Sequence, residues 1–333
     1  MRRQALPKVR IEPKPTPMNR QTLLGYFYAA TGAALFSTKA IFIKLAYMDK
    51  LDAPLMLALR MISALPFFAG AVAFVLWKAA KNGTPLPPRS TFVGAIAVGF
   101  LGYYLSALFD FEGLVYISAQ LERLVLFTYP VMVMVIGWLF FNGRVSWKGA
   151  LGAAITYTGL LVVFLKALPE GGHNTIVGTA LVLGCAFTFA CYQLFAKRFI
   201  GIMGTMLFTG VALSSSAVAC IVHYIVVSGG VDFSATTRFY WLAAGCGFFA
   251  TVLPSFLVNA GLSRVSAQAT SMIASISPLI TISLAVWILG EKFTLVDAIG
   301  AALVILGILV FAASDNKSVT EQKELLAGEI EPA

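Results

Sequence analysis

The chain contains an internal repeat that covers most of its length. Residues 111–162 and 259–310 align without a gap at a constant offset of 148 residues. Matched pairs include Gly113 with Gly261, Pro130 with Pro278 and, at an offset of 153 nearer the beginnings of the two copies, Gly25 with Gly178. Both copies are almost wholly apolar. Two homologous membrane halves with a substrate site between them are the architecture of many secondary transporters.

The composition indicates a protein that faces lipid over most of its length. Apolar residues make up 59% of the chain and charged residues 12%, about half the share of charge in a soluble domain. A membrane helix needs about 20 apolar residues, and the segments lack the alternation of barrel strands. The ten predicted transmembrane helices are Leu23–Ala46, Pro54–Trp77, Phe92–Gly113, Ala119–Phe141, Gly149–Leu168, Ile176–Ala196, Gly204–Val227, Phe239–Leu262, Ala267–Leu289 and Val296–Ala313.

The repeat predicts how these helices are organised. Each half holds five helices, an odd number, so the second half begins on the opposite side of the membrane. We therefore expect an all-α polytopic membrane protein built from two inverted five-helix repeats. The first repeat covers residues 21–168, an outer linker covers 169–175, and the second repeat covers 176–313. The polar ends, residues 1–20 and 314–333, are predicted to be disordered cytoplasmic tails.

The distribution of positive charge predicts the orientation. With the N-terminus in the cytoplasm, 16 of the 24 Lys and Arg residues lie in cytoplasmic segments and four lie in outer loops. This positive-inside bias places both termini in the cytoplasm and the protein in the cytoplasmic membrane. The net charge of +9 does not indicate a nucleic-acid partner, because no soluble domain carries a basic face.

The chain has few motifs that could carry catalysis or bind a cofactor. Its two histidines lie outside any metal-binding pattern, and its four cysteines fall within apolar segments, where they pack as small hydrophobes. No phosphate-binding loop is visible. We therefore expect no cofactor, no metal and no enzymatic activity, and the expected partners are a small-molecule substrate and the lipid bilayer.

Prolines and glycines mark special positions in the predicted helices. Pro130 and Pro278 each remove a backbone hydrogen bond within a helix, which is tolerated at membrane depth only against protein or a wet cavity. The fifth and tenth helices carry small residues that permit close helix approach: Gly152 and Gly159, and Gly300 and Gly307. We favour packing within the chain over a dimer face, and the sequence leaves monomer and homodimer open.

Several short motifs recur in a specific order along the chain. They are Phe36–Lys44 in the first helix, Leu59-Arg60 in the second, Ile117–Ala119 with Pro130, Val265–Ala267 with Pro278, and Leu289–Lys292. Over residues 23–313 this set resembles the drug/metabolite transporter superfamily of the EamA-domain type. One departure is Asn142-Gly143-Arg144, where a glutamate is common in the family. The resemblance implies an inner-membrane carrier, often an exporter of amino acids, metabolites or drugs.

Besides Lys166 and Asp297, seven charged residues fall within the predicted helices, where each requires a partner or a water-filled cavity. All belong to the first repeat and to its outer half: Lys39, Lys44, Arg60, Asp110, Glu112, Glu122 and Arg123. The second repeat lacks them, since Lys39 aligns with Tyr192 and Glu122 with Thr270. Its polar residues are neutral, as in the four-residue spacing of Thr251, Ser255 and Asn259 on one helix face.

These charged residues allow two interpretations. The first, a structural ion-pair network that closes the outer side, is favoured for Lys44, Arg60, Asp110 and Glu112. The second, a site for a charged substrate or a coupling proton, is favoured for Lys39, Glu122 and Arg123.

Individual roles follow from the second interpretation. We expect Lys39 to meet a substrate anion and Glu122 to face the cavity and couple transport to protons. Tyr192 would offer a stacking face from the opposite repeat. Tyr103 lines the cavity or acts as an interfacial anchor.

The leading hypothesis is a secondary-active transporter. It would move a small polar or amphipathic metabolite, amino acid-like or drug-like, across the cytoplasmic membrane by alternating access. The family resemblance favours export, and Glu122 favours proton coupling. The alternative is a passive channel or a membrane scaffold without coupled transport.

Overall fold

The computed structural model describes residues 20–49, 53–140, 147–230, 234–265, 274 and 277–310. Within these ranges the chain is helical and contains no strand. Eight helices are long and apolar enough to cross a membrane, and two shorter apolar helices follow them. In chain order they are α1 (Arg20–Tyr47), α2 (Ala53–Asn82), α3 (Arg89–Tyr116), α4 (Ala119–Leu126 and Tyr129–Phe140), α5 (Trp147–Gly171), α6 (His173–Met203), α7 (Thr205–Val227), α8 (Thr237–Leu262), α9 (Ser277–Leu289) and α10 (Leu295–Val310).

Several helices extend beyond the predicted apolar segments. The predicted outer linker, residues 169–175, is almost entirely helical, because α5 continues to Gly171 and α6 begins at His173. Only Gly172 connects them, with a positive φ of 53° that glycine adopts without a Cβ penalty. An apolar run marks only the hydrocarbon-buried part of a helix, and the helix continues through the headgroup region.

Two helices are interrupted near the centre of the bundle. In α1 the interruption is at Thr38, so Lys39 begins a new helical segment. In α4 it falls at Phe127 and Thr128, immediately before Tyr129 and Pro130. Proline lacks the N–H that would continue the helical hydrogen bonds, so the break predicted at Pro130 is present. Pro278 is the second residue of α9, and the backbone immediately before Ser277 lies outside the described residues.

Helices α3 and α8 each contain a π-helical turn at the same position of the internal repeat. The turns are Phe100–Leu105 and Phe248–Val252, and the offset of 148 residues matches Phe100 with Phe248. Such turns widen an α-helix locally and are frequent at functional sites. Tyr103 and Thr251, one from each turn, both reach the central cavity.

Glycines form two close helix crossings that the repeat also relates. A Cβ on Gly261 would lie 3.0 Å from the carbonyl oxygen of Gly25, where α8 crosses α1. A Cβ on Gly113 would lie 3.2 Å from the carbonyl oxygen of Gly178, where α3 crosses α6. Gly113 and Gly261 are repeat partners, as are Gly25 and Gly178, so one contact is made twice.

The glycines of α5 and α10 pack against each other within the chain, as favoured from the sequence. A Cβ on Gly159 would lie 2.7 Å from the carbonyl oxygen of Gly300. A Cβ on Gly307 would lie 2.6 Å from the carbonyl oxygen of Gly152. Because the earlier glycine of one helix meets the later glycine of the other, α5 and α10 run antiparallel.

Buried apolar clusters occupy both halves of the bundle. We call the end that carries Tyr47, Tyr116 and Glu291 the Glu291 face, and the opposite end, which carries Arg20 and Arg264, the Arg264 face. The cluster in the half towards the Glu291 face includes the fully buried side chains of Met56, Leu57, Phe111, Leu114 and Phe239. The cluster in the half towards the Arg264 face includes Val98, Met203, Leu207 and Phe208.

Candidate functional site

A cavity of about 140 Å³ lies at the centre of the bundle. Its lining comes from α1, α2, α3 and α4 on one side and from α6, α8 and α9 on the other, so both copies of the repeat contribute. A cavity volume of about 10–15 Å³ is enough to hold one water molecule, so this cavity has room for several water molecules. Its charged lining residues are Lys39, Arg60, Asp110 and Arg123.

The closest charge pair in the wall joins Lys39 and Asp110. The Lys39 Nζ atom lies 2.6 Å from Asp110 Oδ2, and the Asp110 side chain is fully buried. Lys39 reaches this position because the interruption at Thr38 starts a new helical segment there. The sequence analysis had grouped Asp110 with the outer network, whereas the structure places it in the cavity.

Glu122 lies behind this pair and not in the cavity wall. Its carboxylate is fully buried, 4.0 Å from Lys39 Nζ and 3.9 Å from Arg123 Nε. Arg123 lines the cavity and donates a hydrogen bond of 3.0 Å to the carbonyl oxygen of Phe36. Consecutive helical residues point about 100° apart, and of this pair only Arg123 is among the residues that line the cavity. The expectation that Glu122 itself lines the cavity is therefore corrected.

Arg60 does not join the predicted ion-pair network. Its guanidinium lies over the ring of Phe111 at 4.6 Å, and Nη1 donates to the hydroxyl oxygen of Thr251 at 3.3 Å. No carboxylate lies within ion-pairing distance of Arg60 in the part of the chain that the structure describes. Lys44 and Glu112 are half-buried residues of the Glu291 half and do not line the cavity.

The two candidate tyrosines have different positions. Tyr103 lines the cavity. Tyr192 is almost fully buried behind it, with its ring edge-on to Tyr103 at 5.0 Å and stacked on Phe189 at 5.7 Å. A Cβ on Gly102 would collide with the Tyr192 ring. Tyr192 therefore supports the cavity wall and does not offer the stacking face predicted for it.

Several polar groups at the cavity were not assigned from the sequence. The hydroxyls of Ser37 and Ser277 lie 2.6 Å apart, and the Thr281 hydroxyl donates to the carbonyl oxygen of Ser37 at 2.9 Å. These bonds join the interruption of α1 to the start of α9. The four-residue spacing in the sequence had marked Thr251 as polar without a role, whereas Gln193 is an isolated polar residue that no pattern marks.

Glu291 links the two copies of the repeat at the Glu291 face. Its carboxylate accepts hydrogen bonds from the backbone N–H groups of Ala119 at 2.9 Å and Gln120 at 3.2 Å. The first N–H groups of a helix lack intrahelical partners, and a negative charge there is favourable. The repeat partner of Glu291 is Gly143, which lies outside the described residues and has no carboxylate.

A bundle of apolar spans around a buried, charged cavity defines the class of integral membrane transporters. The model of the EamA-like transporter family matches residues 23–165 and 176–313. The chain therefore belongs to the EamA-like transporter family, which confirms the resemblance noted in the sequence.

Curated relatives agree with this assignment, and a solved structure shares the fold. The chain is 25% identical over 296 residues to the uncharacterized transporter YcbK of Bacillus subtilis (strain 168), a match that covers 84% of this chain and 90% of YcbK. It is 26% identical over 204 residues to a probable amino-acid metabolite efflux pump of Salmonella typhimurium, over 58% of this chain and 67% of the pump. A solved crystal structure of 20% sequence identity has the same fold, with a TM-score of 0.59 over 87% of this chain and 95% of that chain.

Proposed function

We propose that this protein is a secondary-active transporter that moves a small amino-acid-like metabolite across the cytoplasmic membrane by alternating access. The observation that carries the proposal is the central cavity, which has the Lys39–Asp110 pair in its wall and lies between the two copies of the repeat. Ionisable groups at membrane depth typically mark a substrate or ion pathway.

Inverted repeats of five helices each are part of this proposal. Three observations support them: the antiparallel contacts of α5 with α10, the glycine crossing that occurs twice, and the π turns at matched positions. A two-fold axis in the membrane plane would relate all three. Such an axis allows one pattern to form a gate at either face.

The orientation of the chain sets which face export would require to open. If the positive-inside bias sets the orientation, the Glu291 face is the outer one. Export would then require a conformation in which the cavity opens to that face.

The proposed substrate class follows from the walls of the cavity and from the relatives. The lining includes aromatic side chains, among them Phe36, Phe127, Tyr129 and Phe189, beside the charged groups. An amino acid with an apolar side chain matches both kinds of surface. The relatives named as amino-acid metabolite efflux pumps point to the same class and to export.

Proton coupling is proposed for the carboxylates that share Lys39. Asp110 lies in the wall and Glu122 lies behind it, and Lys39 contacts both. Protonation of either carboxyl would weaken its attraction for Lys39 and free the ammonium group to move. A proton could therefore change the position of Lys39 and with it the shape of the cavity.

Counterflow in proteoliposomes tests the proposal. Purified protein would be reconstituted into vesicles preloaded with leucine, methionine or phenylalanine, and uptake of the same radiolabelled amino acid would be followed. A carrier shows uptake stimulated by the internal amino acid, a channel shows uptake without stimulation, and a scaffold shows none. Lys39→Gln should abolish the stimulation, whereas Lys78→Gln, at an exposed position of α2, should preserve it. Either of the other two patterns in the wild type would contradict the proposal.

A further inference from the structure

We propose that Arg60 is the site that binds the carboxylate of the substrate, separate from the ion-pair cluster around Lys39. This inference rests on the proposed transport function, because it specifies the ligand of the same cavity. It assigns the substrate to the chemical class of carboxylic acids, whether zwitterionic or anionic.

The first argument is that Arg60 has hydrogen-bond donors that nothing else uses. The residue is only 4% exposed, yet it lines the cavity. Its Nε and Nη2 atoms are buried and have no hydrogen-bond partner among the described residues. Only Nη1 is engaged, at the long distance of 3.3 Å to Thr251. An arginine that is buried without a partner is unfavourable, so a ligand or water must satisfy these donors.

The second argument is geometric. Nε and Nη2 lie along one edge of the planar guanidinium, and both are the free donors of Arg60. Two parallel N–H groups along one edge match the two oxygens of a carboxylate. The remaining nitrogen, Nη1, points to Thr251 on the π turn of α8, and the Phe111 ring covers one face of the group at 4.6 Å. The guanidinium is therefore held in place, and its Nε and Nη2 edge has no hydrogen-bond partner among the described residues.

The third argument is the balance of charge around the cavity. The cluster contains three basic residues, Lys39, Arg60 and Arg123, and two acidic ones, Asp110 and Glu122. Both carboxylates already face basic groups, since Asp110 lies 2.6 Å from Lys39 and Glu122 lies 4.0 Å from Lys39 and 3.9 Å from Arg123. Arg60 is the base left over in this cluster. A ligand that carries one carboxylate neutralises the surplus and makes charge-assisted hydrogen bonds there.

The experiment compares three small ligands that differ in one group. The probes are L-phenylalanine, 3-phenylpropionate, which lacks the ammonium group, and L-phenylalaninamide, which lacks the carboxylate. Binding to the purified full-length protein in detergent is measured as the concentration-dependent rise in Tm. Both carboxylic acids should raise Tm. The Kd of the amide should be at least about tenfold higher than that of phenylalanine, because the amide lacks the charge-assisted hydrogen bonds.

Variants of Arg60 connect the effect to this side chain. Arg60→Gln should remove the preference for the acids over the amide. Arg60→Lys should retain only part of this preference, because an ammonium group cannot form the bidentate contact with a carboxylate. Arg264→Gln is the matched control, since Arg264 is an exposed arginine that bonds to the carbonyl oxygen of Ala260.

The outcomes separate this inference from the transport function. Equal binding of phenylalanine and its amide by the wild type, no binding of either acid, or an unchanged preference in Arg60→Gln would each overturn the carboxylate site. If Arg60→Gln does not fold, the wild-type comparison still decides. Counterflow of the amide with no counterflow of the acids would leave the transporter intact and this site refuted. Binding of the acids through Arg60 without counterflow would support the carboxylate site and contradict the transport function.

Discussion

Lys39 on α1 contacts Asp110 on α3 at 2.6 Å and Glu122 on α4 at 4.0 Å. One ammonium group therefore joins three helices of the first repeat at the wall of the cavity. A buried charge that loses its partner is strongly destabilising, whereas loss of both partners is often tolerated. A comparison of single and double variants therefore tests whether Lys39 and Asp110 act as a pair.

Asp110→Asn and Lys39→Met should each destabilise the protein, by about 3 kcal/mol. The double variant should regain much of this stability without regaining transport, because the pair is replaced by neutral groups. Thermal unfolding in detergent measures the first effect and counterflow the second. The control is the exposed pair of Asp49 and Arg238, whose removal should cost no more than about 1 kcal/mol. Additive losses in the double variant would show that the two side chains do not act as a pair.

Glu122→Gln tests proton coupling. The substitution preserves shape and removes the titratable group that lies behind Lys39 and Arg123. Transport driven by a pH gradient should fall to the rate seen without a gradient, while counterflow at equal pH should continue. Glu112→Gln, outside the cavity lining, should respond to the gradient as the wild type does. A variant at Glu122 that still follows the gradient at the wild-type rate would exclude this residue from coupling.

Gly99→Ala should lower thermal stability. A Cβ at this position would collide with the backbone of Ala212 on α7, which cannot move aside as a side chain can. Gly70→Ala is the matched control, since a Cβ on Gly70 meets nothing within 4 Å and alanine favours a helix by about 1 kcal/mol over glycine. The two substitutions should therefore shift Tm in opposite directions. Shifts of the same sign would mean that α3 and α7 do not approach this closely.

Glu291→Gln should weaken the link between the two copies at the Glu291 face. The variant loses the negative charge that accepts hydrogen bonds from the first N–H groups of α4, at a cost of about 1 kcal/mol. We expect a lower Tm and a faster exchange of the amino acid in counterflow, because opening of that face would require less energy. Lys292→Gln is the control, since only its backbone oxygen contacts Gln120. A slower exchange would indicate that Glu291 stabilises the open conformation instead.

The sequence predicted the helical architecture because apolar runs of membrane length leave few alternatives. It also singled out all four charged residues that line the cavity, since a charge in an apolar helix is conspicuous. It could not predict which of these residues meet, because that depends on packing between helices far apart in sequence. Asp110 lies in the cavity wall and Glu122 behind it for this reason, since the rotation of each helix decides which of its residues face the cavity.

Other parts of the site had weak signals or none. Gln193 is a single neutral residue in an apolar helix, and its position in the wall depends on the rotation of α6. The π turns of α3 and α8 leave no pattern in composition. Arg60 was recognised as unusual, but its lack of an acidic neighbour is a three-dimensional property, because its surroundings come from Phe111 and Thr251.

The matched π turns of α3 and α8 also bear on the origin of the molecule. A bend at the same position in both copies is most simply inherited from a single ancestral gene, before that gene was duplicated and fused. A five-helix polypeptide with this bend could have enclosed a chamber only by pairing with another copy of itself, and symmetric pairs are the commonest assemblies of identical chains. The charged residues of the cavity lining, which all come from the first half, would then have been gained there, or lost from the other half, after fusion allowed the two halves to diverge.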